Sequence, residues 1–143
     1  MRRLSVVLLV DARGWVLLQE RDEHAPLAPG QWGMVGGHVE DGEDFEPAAY
    51  RELREETGID LPAGELTLWR DAEFTYPDGH HGEYHVYAAA VDLTDADIVV
   101  GEGRRIVFVE PGVIPTLVLA GSSRHFVPDF LASDLYAALV SAS

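Results

Sequence analysis

The chain contains no cysteine. Disulfide staples, thiolate zinc sites and cysteine nucleophiles are thereby excluded, and the absence is compatible with a reducing compartment. Any nucleophile must be oxygen or nitrogen. Basic residues are also scarce, 10 Lys+Arg against 25 Asp+Glu, for a formal net charge of −15. So negative a surface does not hold nucleic-acid polymers through their phosphates, although a small polyanion can bind where divalent cations screen it. Long hydrophobic runs are missing as well. The apolar stretch Val6 to Val10 ends at Asp11, well short of a signal h-region or a membrane span, and it reads as a buried strand of a cytoplasmic protein with no membrane partner. No internal repeat, low-complexity tract or linker is evident. With 143 residues, 47% of them apolar, a single domain spanning 1–143 can bury its own core.

Local patterning gives an order of elements. Leu4 to Val10 and Trp15 to Gln19 flank the turn cluster Asp11-Ala12-Arg13-Gly14 and predict a hairpin. Pro26, Pro29 and Gly30 break any period between Asp22 and Gln31, predicting a loop that leads to a short strand around Gly33 to Val35. Phe45, Ala49 and Leu53 recur every four residues with Ala48 alongside, the stripe of an amphipathic helix from Asp44 to Thr57. Asp44 is placed to cap it, Pro47 lies early enough to be harmless, and Gly58 suits a left-handed C′ position. Strands are expected at Glu65 to Tyr76, Glu83 to Val91 and Arg104 to Val109. A second helix is expected to open at Pro128, with Leu131, Leu135, Ala138 and Leu139 facing the core.

The first helix ends Arg51-Glu52-Leu53-Arg54-Glu55-Glu56-Thr57-Gly58, which sets three carboxylates where the helix dipole is already negative. At about 100° per residue, Glu52 and Glu56 lie roughly 40° apart and Glu55 about 60° to the other side, so all three share a face and repel one another. Two readings fit the helix alone. One is a solvated acidic face neutralised by Arg51 and Arg54. The other is a cluster built for a hard, oxygen-seeking cation such as magnesium or manganese.

The wider segment separates them. Gly37, Glu43, Arg51-Glu52-Leu53, Glu55-Glu56 and Gly58-Ile59 stand at the spacing of a 23-residue signature, and the segment resembles a complete Nudix box. The resemblance extends to Leu17-Leu18-Gln19-Glu20-Arg21, to Trp32-Gly33-Met34-Val35-Gly36-Gly37 and to the final helix, and so covers most of the chain. Val35 departs from the proline many relatives carry before the two glycines, which changes loop stiffness and removes no ligand. The implied fold is an α/β/α sandwich, a mixed β-sheet between the box helix and a C-terminal helix. The implied activity is magnesium-dependent hydrolysis of the diphosphate linkage in a nucleoside diphosphate derivative, with manganese a substitute. The compact size favours a nucleoside triphosphate, ordinary or oxidised. ADP-ribose-like compounds, sugar nucleotides and dinucleoside polyphosphates stay open, as does a non-catalytic nucleotide-binding regulator, against which the intact glutamates argue.

The resemblance also assigns roles. Glu55 and Glu56 become metal ligands, Glu52 a further ligand or a base, and the Gly36 carbonyl a backbone ligand. Arg51 pairs with Glu43 and fixes loop against helix. Glu102, between Gly101 and Gly103, is the candidate carboxylate from outside the box, with Asp95, Asp97 and Glu110 behind it. Arg21, Trp32, Gly37 and His38 are candidate substrate contacts, and Arg104 and Arg105 candidate phosphate partners; Trp32, Tyr76 and Tyr84 fit either base stacking or the core. His80-His81 and His85 lack a second ligand set at zinc spacing. Relatives often dimerise, so the resemblance is compatible with a homodimer.

Overall fold

The computed structural model describes residues 2–21, 30–101 and 105–141. Strands β1 (Arg2–Val10), β2 (Val16–Glu20), β3 (Trp32–Gly33) and β4 (Val35–His38) precede helix α1 (Phe45–Thr57). Strands β5 (Thr67–Thr75), β6 (His81–Ala90) and β7 (Arg105–Val109) and helices α2 (Gly121–Leu131) and α3 (Asp134–Ser141) follow it. The strands form one mixed sheet, ordered β3-β2-β1-β6-β5, with β4 also pairing β1 and β7 pairing β2. β1 is the axis: it runs parallel to β6 from Arg2↔Gly82 to Val10↔Ala90 and antiparallel to β4 from Leu4↔His38 to Val7↔Val35.

Because successive strand side chains point to opposite faces, β1 feeds two cores. Val6, Leu8 and Val10 join Tyr84, Val86 and Ala88 of β6 and Phe126, Val127 and Phe130 of α2. Val7 and Leu9 join Tyr87 and Ala89 of β6 and Ala49 and Leu53 of α1. The sheet is therefore sandwiched between α1 and the C-terminal helices, as expected for an α/β/α layering.

α1 follows its predicted course. Ala48, Ala49 and Leu53 are buried, and Gly58 adopts φ 74° with its N–H donating to Arg54 O, a left-handed stop that glycine makes at least cost. The Asp44 side chain makes no capping hydrogen bond, contrary to expectation. Ser5 Oγ instead anchors the start of the helix by donating to Phe45 O at 2.6 Å.

Four further expectations are corrected. The strand expected at Gly33 to Val35 is two strands broken at Met34, whose N–H donates to Ser123 Oγ at 2.9 Å rather than to a neighbouring strand. β6 starts at His81, so the β5–β6 hairpin loop is shorter than its polar sequence suggested. Pro128 lies inside α2 and does not open it. Gly121-Ser122-Ser123 has a turn-like composition, yet it starts the helix because Ser122 and Ser123 are buried against the sheet. The expected single stripe is split at Ser133, whose Oγ accepts the Tyr136 N–H and donates to Phe130 O. Leu131, Leu135 and Leu139 pack only at the edge of the core, and α3 has no buried residue. The loop expected between Asp22 and Gln31 falls mostly outside the described residues, as does Arg104, the first residue expected for the strand that is β7.

Candidate active site

The site lies where α1 crosses the end of β4. Gly36 takes φ 145° opposite Val6, and a Cβ there would stand 2.3 Å from Ser5 O. Only glycine lets β4 approach β1 so closely. At Gly37 a Cβ would fall 2.7 Å from the Glu52 carboxylate. The space a side chain would occupy is thus filled by the Glu52 carboxylate, set against the β4 backbone next to Gly36.

Arg51 organises the carboxylates. Its Nε and Nη2 each hydrogen-bond Glu43 at 2.8 Å, a two-point fork that fixes plane as well as distance. Nη2 also reaches His38 O at 3.1 Å, and Nη1 stands 3.0 Å from both Glu52 Oε1 and Glu55 Oε2. Glu43 accepts a further hydrogen bond from the Glu40 N–H, while Arg3 donates to the backbone carbonyls of Glu40 and Glu43. The Arg51 guanidinium, then the Glu40 N–H, hold the Glu43 carboxyl well below its usual range, at about 2. In return Glu43, then Glu52, push the Arg51 pKa up.

Glu56 is buried on α1, whereas the Glu55 side chain is 57% exposed beside Arg51. The carbonyls at the C-terminal end of α1 are met by the segment before Glu102: Val99 N–H donates to Thr57 O and Gly101 N–H to Glu56 O. A Cβ at Gly101 would stand 2.4 Å from Glu55 O. Glu102 itself lies outside the described residues, but its neighbour is stitched to the backbone of both candidate ligands. In the sequence Gly101 is only a glycine flanking Glu102, and nothing local announces this close approach.

The donors Glu52, Glu55, Glu56 and the Gly36 carbonyl are all oxygens, the chemistry a hard divalent cation takes, and the missing side chain of Gly37 lets the Glu52 carboxylate pack against β4. Among the described residues no three acidic or histidine side chains are gathered into a preformed cage. The Arg51 cation stands between two of the carboxylates instead.

Gly36 and Gly37 also line a cavity of about 510 Å³, together with Arg21 and Gln19 on one side. Its far end is walled by the β5–β6 hairpin, through Tyr76, Asp78 and His80, and by the start of α2. The other candidates lie elsewhere. Trp32 is buried in the core with Arg105 over its ring, and Arg105 pairs with Glu20 at 2.9 Å. His38 is exposed at the end of β4, where its carbonyl serves Arg51. Asp95 accepts the Phe108 N–H and Asp97 closes a capping box with Thr94, so both have local structural work. His85 stacks on Phe45 at 3.5 Å.

The family model described as NUDIX domain matches residues 1–130. The chain belongs to the Nudix hydrolase family. Among curated Nudix relatives it is 32% identical to the nucleoside triphosphatase NudI of Salmonella agona (strain SL483), over 87% of this chain and 94% of that one. Among solved structures, the E. coli dihydroneopterin triphosphate pyrophosphohydrolase superposes with TM-score 0.71 at 25% identity, covering 91% of this chain and 94% of that one. A bifunctional NMN adenylyltransferase/ADP ribose pyrophosphatase from Francisella tularensis, solved with AMP and a Mn ion, gives TM-score 0.71 at 20% identity, with 92% and 41% covered. Nudix hydrolases act on phosphoanhydride bonds and generally use divalent metals, and this chain is such an enzyme. No helix among its described residues is long and apolar enough to cross a membrane.

Proposed function

We propose that this Nudix hydrolase is a magnesium-dependent pyrophosphohydrolase of nucleoside triphosphates. The observation that carries the reading is the junction at Gly36–Gly37, a glycine pair that packs against the Glu52 carboxylate at Gly37 and also lines a cavity of about 510 Å³, a volume suited to a nucleotide-sized ligand. The similarity to a nucleoside triphosphatase over most of both chains supports the substrate class.

When bound, magnesium neutralises charge on the phosphoanhydride oxygens and makes water a better nucleophile. Glu55, Glu56, Glu52 and the Gly36 carbonyl would hold it. Arg51 and Glu43 are positioning residues: their fork sets the spacing between the loop after β4 and helix α1, and a small misplacement of a ligand costs rate steeply. The proton of the attacking water passes to Glu52, Glu55 or Glu102. Arg21 and Gly37 both line the cavity, which supports a phosphate contact for the first and a close backbone approach of substrate at the second. On this reading the chain is one catalytic domain working in the cytoplasm, in keeping with its lack of cysteine.

The test is a panel of nucleoside triphosphates, ADP-ribose, sugar nucleotides and dinucleoside polyphosphates, assayed with and without magnesium for nucleotide and pyrophosphate release. Release of nucleoside monophosphate and pyrophosphate from triphosphates is expected. Turnover confined to another class would overturn the substrate assignment, and silence with both magnesium and manganese would contradict the whole reading.

A further inference from the structure

The cavity runs from the Gly36–Gly37 end to an end formed by Tyr76, just after β5, with Asp78 and His80, and by the first turn of α2. Tyr76 is held there from two sides. Its hydroxyl lies 2.6 Å from that of Tyr84, which is almost fully buried and which also bonds Ser122. Its ring lies over Gly121, where a Cβ would stand 2.6 Å from Tyr76 Cε1. Gly121 has φ 33°, and its neighbours are tied to the sheet: Ala120 N–H donates to Trp32 O, Trp32 N–H to Val118 O, and Met34 N–H to Ser123 Oγ. The start of α2 is therefore anchored, and a methyl group added at Gly121 would press on the Tyr76 ring as well as strain its own left-handed backbone.

We propose that Tyr76, seated by the missing side chain of Gly121, is the wall that sets how large a base this cavity admits. The inference rests on the triphosphate reading above: with phosphates at the Gly36–Gly37 end, the base extends toward Tyr76. A ring wall can discriminate by bulk, because each carbon that fits or clashes in an apolar pocket changes selectivity by about tenfold or more. Gly121 acts only through Tyr76, and so is a positioning residue.

The experiment measures kcat/KM for one purine and one pyrimidine nucleoside triphosphate in wild type, Tyr76→Phe, Tyr76→Ala, Gly121→Ala and the Tyr76→Ala/Gly121→Ala pair, with thermal melts as a folding control. Tyr76→Ala is expected to raise the purine-to-pyrimidine ratio by about tenfold or more. Tyr76→Phe, which keeps the ring, is expected to hold the ratio near wild type. Gly121→Ala is expected to shift the ratio alone and to have no further effect once Tyr76 is alanine. A purely structural role would depress both substrates alike. An unchanged ratio in Tyr76→Ala or in Gly121→Ala, with wild type active, overturns the wall. If Tyr76→Ala does not fold, the Gly121→Ala ratio decides alone. Wild type that hydrolyses neither triphosphate instead overturns the substrate reading, a result distinct from an active enzyme with a fixed ratio.

Discussion

Arg51 forks onto Glu43 through two hydrogen bonds of 2.8 Å while its remaining nitrogen touches Glu52 and Glu55. Lysine, a point charge, could not hold three carboxylates and a carbonyl in one plane. The pairing also has a pH signature. Glu43 titrates at about 2 in the fold against an ordinary 4.5. A carboxylate with a depressed folded pKa contributes stability that is fully present above the unfolded value and is lost as pH falls toward the folded one. The stability gap between wild type and Glu43→Gln is therefore expected to be level above about pH 5 and to shrink between 4.5 and 2. Urea midpoints across that range check it, and a gap that ignores pH would show that Arg51 does not hold the charge of Glu43.

Helix α1 was legible from the chain because period, terminator and box spacing agree: Ala48, Ala49 and Leu53 are buried and Gly58 is left-handed as read. The C-terminal helices were not, because Pro128 is usually a helix opener and here sits inside one, in a segment whose start is fixed by burial of Ser122 and Ser123. In the site, the spacing located Glu43, Arg51 and the glutamates, since those positions are a local pattern on one helix and its preceding loop. The contact of Gly101 with the end of α1 and the packing of Tyr76 on Gly121 join residues far apart in sequence, and no local pattern announces them. Trp32, which fits either base stacking or the core by sequence, packs in the core. Two glycines on α1 and β4 separate stability from function. Gly58→Ala is expected to cost roughly 1–2 kcal/mol through its left-handed backbone and to leave turnover of the folded enzyme nearly intact. Gly37→Ala, which drives a methyl into the Glu52 carboxylate, is expected to cut turnover about a hundredfold. Calorimetry and steady-state kinetics on the two variants check this; equal turnover would mean that the Glu52 position is immaterial.

The molecule as a whole carries a formal charge of −15, an unfavourable field for a polyphosphate substrate unless cations intervene. The fold answers by laying one mixed sheet between α1 and the C-terminal helices, so that β4 brings its glycine pair to the α1 glutamates on one side and to the cavity on the other. Metal dependence is thus tied to the charge of the chain as well as to its helix. The most direct measurement is magnesium-dependent pyrophosphate release from a nucleoside triphosphate by wild type and Glu56→Gln, each with and without a chelator. Wild-type turnover abolished by the chelator and reduced at least about a hundredfold in the variant is expected, with the melting curve of Glu56→Gln still cooperative. Turnover that survives chelation, or a folded Glu56→Gln that works at near-normal rate, would contradict a metal held by the glutamates of α1.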